Sequence, residues 1–141
     1  MRFKLLRPTV NTTFHVDWSW FERNNLNAQS FIRNQLSNEA QQLFENGLKV
    51  REVDYIDPES GEVFRMDNMR EMILARCQWE PNYITSDMPL VQSVFRLFLA
   101  NNNKPMTIIQ LAQGLGRHNP QAILRVRTGS GVQNGIVPAH S

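Results

Sequence analysis

The chain has 141 residues, 41% hydrophobic and 20% charged, enough length and apolar content for one ordinary domain or two very small ones and too much for wholesale disorder. Its single cysteine, Cys77, excludes an internal disulfide and a cysteine-based metal cluster, and fits a reducing compartment. The net charge of +2 hides an asymmetry: residues 1–87 carry ten basic against thirteen acidic side chains, net −3, while the 54 residues 88–141 carry Arg96, Lys104, Arg117, Arg125 and Arg127 without one carboxylate, net +5. A basic half points to a polyanionic partner, because neutralising phosphates releases counterions, or else to the acidic half of its own chain. The opening MRFKLLRP is charged with no apolar run behind it, and no uncharged stretch reaches the length of a membrane span, so a signal peptide and a span are not expected and a cytoplasmic protein is.

In chain order, residues 1–11 read as a loosely held arm, and TTFHVDW, Thr12 to Trp18, alternates like a short strand. From Asp17 the run DWSWFERNN also reads as a helix capped by Asp17, and the strand and the helix compete at that boundary. NAQSFIRNQL predicts a helix capped by Asn27, with Phe31, Ile32, Gln35 and Leu36 on one face; NEAQQLFENG predicts another, capped by Ser37 and ended by Gly47. Two β-branched and aromatic runs around DPESGE predict a hairpin, about 49–56 paired with 62–66, with Pro58 and Gly61 shaping the turn. Asp57, Glu59 and Glu62 lack the regular spacing and closing acid of a calcium loop, so turn chemistry accounts for them.

Asp67 is placed to cap a helix NMREMILARCQW that Pro81 ends. Asp87 and Pro89 then open PLVQSVFRLFLANNN, whose Val91, Val94, Phe95, Phe98 and Leu99 form the wide apolar stripe of a central core helix. Composition places any domain boundary near 81–87, between an acidic α+β region, 1–86, and a basic region, 87–141, unless one core runs through both. After Pro105, Thr107 caps IIQLAQGL, Gly114 and Gly116 allow a tight turn, Asn119 caps and Pro120 opens QAILRVRT, and VQNGIVP ends the chain in an extended run.

Residues 89–138 resemble a winged-helix or helix-turn-helix domain. The resemblance rests on Leu111 and Ala112 in the second helix, Leu115 and Gly116 at the turn, and Ile123 and Val126 in the third helix. Ala112 stands where the family wants a small residue between helices, and Gly116 where it wants a left-handed one. The turn through Arg117, His118 and Asn119 is about one residue longer than the compact form, and TGSGVQNG leaves only a short wing. The resemblance implies a three-helix core whose last helix is laid into the DNA major groove. With Ile123 and Val126 inward, Gln121, Arg125 and Thr128 fall on a common outer side. Arg125 would then pair with a guanine edge and Gln121 with adenine, while Arg117, His118 and Asn119 lie near the phosphates. Arg127 falls toward the core edge, where its stem can pack.

Elsewhere the chemistry is sparse. His15, His118 and His140 stand far apart, and His15 with Asp17 makes only a surface pair, so no metal is expected. Gly114-Leu-Gly116 and Gly129-Ser-Gly131 lack the phosphate-loop fingerprint and its lysine; Cys77 reads as a small core residue. No serine elbow or acid pair appears, so neither enzymatic activity nor a cofactor is expected. The aromatic cluster Phe14, Trp18, Trp20 and Phe21 either fills a core or anchors a partner. The expectation is a mainly helical α+β protein with one β-hairpin and a C-terminal winged-helix-like three-helix unit. Its expected function is non-enzymatic binding of DNA or RNA through Arg117, His118, Asn119, Gln121, Arg125 and Arg127. The alternative is an adaptor or accessory subunit that docks a protein partner through the acidic half or the tryptophans.

Overall fold

The computed structural model describes residues 8–116, 119–129 and 132–139. Strand β1 (Thr13–Val16) leads through Asp17 into helix α1 (Trp18–Arg23), so both competing elements form, one on each side of that aspartate. Helices α2 (Ala28–Arg33) and α3 (Asn38–Glu45) follow, capped by Asn27 and Ser37 as their side-chain chemistry dictates. The first of these is shorter than its pattern suggests: tight turn bonds from Gln35 N–H to Ile32 O and from Leu36 N–H to Arg33 O end it, yet both residues still turn inward.

The hairpin joins β2 (Glu52–Ile56) to β3 (Val63–Asp67) in antiparallel register, Tyr55 opposite Phe64 and Val53 opposite Met66. Asp67 then caps α4 (Asn68–Ala75). The helix expected to continue to Trp79 breaks at Arg76 (φ −137°, ψ −55°) and resumes as a 3-10 turn, Cys77–Trp79. The Gln78 side chain donates to the Leu74 carbonyl at 2.7 Å, satisfying a group that the next helical turn would otherwise have used. Helix α5 (Leu90–Ala100) starts from Pro89, not from Asp87: three residues ahead of Leu90, the aspartate accepts from the Thr85 hydroxyl at 2.6 Å.

The C-terminal part runs β4 (Met106–Thr107), α6 (Ile108–Leu115), α7 (Pro120–Gly129) and β5 (Ile136–Pro138). Strands β4 and β5 do not pair with each other. Strand β1 lies between them, antiparallel to both, so the three-stranded sheet is ordered β4-β1-β5. The protein is therefore a mainly helical α+β fold with two small antiparallel sheets.

One buried cluster runs from Phe14 to Ile136, crossing the compositional boundary near residue 87. Phe95 and Phe98 of α5 sit fully buried in it with Phe14, Phe21, Met69, Ile73 and Ile108. Phe21 is ringed by Trp20 and Phe31 edge-on at 5.1 and 5.0 Å and by Trp18 stacked at 5.9 Å. The N-terminal aromatic cluster thus fills the core; Trp18 and Trp20 are half-buried against it. Among the described residues no helix is long and apolar enough to cross a membrane.

Candidate nucleic-acid interface

Helix α6 opens on a capping box: Thr107 Oγ1 accepts from Gln110 N–H at 3.1 Å, and Gln110 Oε1 accepts from Thr107 N–H at 2.8 Å. Ile108, Leu111, Ala112 and Leu115 face the core. Gly116 closes the helix with φ +76°, the left-handed geometry that a Cβ would strain. Gly114 plays a different part from the one expected. It lies within the helix, and a Cβ there would come 3.1 Å from Leu97 Cδ1, so its bareness lets α6 approach α5.

Beyond the turn, Asn119 Oδ1 accepts from Gln121 N–H at 2.8 Å and from Ala122 N–H at 3.2 Å. The residue expected beside phosphate is therefore first a helix cap, with its exposed amide nitrogen still able to donate. Ile123 is buried and Gln121 exposed, so the first turn of α7 presents the sides expected of it. Arg125 and Arg127 fall on the second half of α7. The expected side-chain directions of Arg125, Val126, Arg127 and Thr128, and the places of Arg117 and His118, lie outside the described residues.

Not every cation of the basic half belongs to this face. Arg96, on α5, is half-buried: its Nε donates to Gln35 Oε1 at 2.8 Å, and its Nη1 donates to the Tyr83 carbonyl. A lone charge on a mostly apolar helix was the signal that could have marked it. Lys104, in the loop before β4, is exposed. The sequence also did not single out Trp79, which is 74% exposed at the end of the 3-10 turn, or the apolar pair Ile56 and Val63 at the hairpin tip, 63% and 58% exposed.

No family model, curated protein or solved structure matches the chain.

Proposed function

We propose that the protein binds nucleic acid, duplex DNA foremost, through the turn after α6 and the outer side of α7. The observation that carries this reading is the helix, glycine turn and capped helix of residues 108–129, set in a stretch of 54 residues without a carboxylate. A stretch of that kind brings no acidic side chain of its own to repel phosphate, and the N-terminus of α7 adds a partial positive charge. Gln121 and Arg125 are the base-reading candidates, and Arg117, His118, Asn119 and Arg127 the backbone contacts. A single short helix makes few base contacts, so a two-fold dimer would double them.

The test is fluorescence anisotropy with mixed duplex DNA and structured RNA across a salt series, on the wild type and on a variant with Arg117, Arg125 and Arg127 changed to Ala. Log affinity should fall linearly with log salt, and the variant's slope should flatten by up to about 0.9 for each duplex phosphate that the missing guanidinium groups had neutralised. Absence of binding near physiological salt, or an unchanged slope, overturns the reading. The exposed Trp79, Ile56 and Val63 then favour the second one, an adaptor that docks a protein partner.

A further inference from the structure

A polar cleft of about 250 Å³ opens between the end of α2, the start of α3, the 3-10 turn and α5. Arg96 forms part of its wall, with Asn34, Ser37, Asn38, Glu80 and Asn82 among the others. The guanidinium is held firmly. Besides its bonds to Gln35 and the Tyr83 carbonyl, it lies 5.3 Å from the Tyr83 ring centroid, and the Tyr83 hydroxyl donates back to the Arg96 carbonyl at 2.6 Å. Gln35 is itself fixed, donating to the Phe31 carbonyl at 3.0 Å.

This cation has no carboxylate within 4.0 Å among the described residues. A guanidinium carries five N–H donors in a planar fork, and its two bonds to protein acceptors leave three, two of them on Nη2. Burial lowers its pKa from the ordinary value, the cost of holding a charge away from water without a counter-charge. Across the cleft the N-terminus of α3 faces the same space through Ser37 and Asn38, and its dipole also favours negative charge. The side-chain amides of Asn34, Asn38 and Asn82 are exposed on the rim.

We infer that this cleft binds a small oxyanion-bearing molecule, a carboxylate or a phosphate ester, through the open fork of Arg96. The volume lies just below the roughly 300–1,000 Å³ of drug-sized sites and suits a small metabolite. Glu80, which also lines the cleft, disfavours a bare anion and so favours ligands that carry a hydroxyl or amine donor beside the oxyanion. Planar carboxylate and tetrahedral phosphate both match the fork, and the probes separate them.

Full-length protein is titrated with inorganic phosphate and with L-serine and acetate as carboxylate probes, against chloride at matched ionic strength. Binding is read from thermal midpoint and from the NMR signals of Arg96 Nε–H and the Asn82 side-chain amide. Phosphate or a carboxylate, but not chloride, should raise the midpoint saturably and shift both signals; the stronger of the two names the oxyanion. Arg96→Met should abolish the effect. Because that change also removes the Gln35 and Tyr83 bonds, Asn38→Asp is the second variant. It places a carboxylate at the mouth and at the first position of α3, where an acid favours the helix, so it should fold and bind about tenfold more weakly. No saturable response to any oxyanion, or wild-type affinity in Asn38→Asp, overturns the assignment.

Discussion

Asp17 shows how much one residue can organise. Its Oδ1 accepts from the Ser19 hydroxyl at 2.7 Å and from Ser19 N–H at 3.1 Å, and its Oδ2 meets Arg23 Nη2 at 3.0 Å. The Ser19 bond first and the Arg23 bond second hold its carboxyl below the ordinary 3.8. A depressed carboxyl stabilises the fold above the unfolded-state value and ceases to as pH falls through the folded one. Asp17→Ala should cost about 1 kcal/mol at pH 7 by urea denaturation, as loss of a helix cap does, with the gap to wild type closing below about pH 3.8. A gap unchanged at pH 3 would mean that the stabilisation by this cap does not depend on its ionisation. The same residue constrains Gly135, whose φ is +72°: an added Cβ would lie 2.9 Å from the Asp17 carbonyl oxygen and 3.1 Å from the Phe21 ring. Gly135→Ala should therefore destabilise by about 2 kcal/mol or more, and clearly more than Gly61→Ala, where φ is +73° but nothing lies within 4 Å. Equal thermal shifts for the two variants would show that the close approach is relieved by small movements.

At the scale of elements, two asparagines act as pieces of backbone. Asn103 accepts from Val16 N–H and donates to Val16 O, both at 2.8 Å, tying the loop after α5 to the central strand β1. Asn68 accepts from Arg51 N–H at 3.1 Å and donates to the Lys49 carbonyl at 3.0 Å, fastening the start of α4 to the approach to β2. Replacing either by Ala leaves a donor and an acceptor unpaired, which should cost about 2–4 kcal/mol in chemical denaturation. By contrast, Arg65 pairs with Asp54 and Glu52 on the open face of the hairpin with 59% of its side chain exposed. Arg65→Ala should change stability by no more than about 1 kcal/mol. If the ranking were reversed, the hairpin would be held by its charges and not by its anchoring to α4. Neither tether is legible in the sequence. An asparagine in a polar run reads as a turn former, and only the folded chain brings Val16 to Asn103 across 87 positions.

For the whole molecule the decisive feature is β1. The two strands of the C-terminal part, β4 and β5, are bridged only by this N-terminal strand, whose Phe14 and Val16 are buried in the common core. A fragment of residues 88–141 should therefore lack a cooperative thermal transition by circular dichroism, because β4 and β5 would each keep an unpaired edge and the core would lose Phe14, Val16 and Phe21. A sharp transition in the isolated fragment would mean that β5 can pair directly with β4. The charge asymmetry that suggests two regions is thus a property of the surface, laid over a core that does not divide at the same place.

The sequence by itself determined the starts of six α-helices, because capping is local: Asp17, Asn27, Ser37, Asp67, Thr107 and Asn119 each accept from a backbone N–H two or three residues on. It determined the hairpin and the inward stripe of α5 for the same reason, since turn geometry and side-chain period are properties of neighbouring residues. At Asp87, which accepts from the Thr85 hydroxyl and does not cap α5, and at Arg76, where the backbone leaves helical geometry, the pattern misplaced a boundary. Tertiary structure alone decided that β4 is a strand, since two residues carry no periodicity and acquire their pairing only from β1. It also decided that Arg96, one of five cations in a basic half, faces a cleft between α2, α3 and α5. Which surface a charge reaches depends on the packing of helices distant in sequence, and no local pattern encodes that.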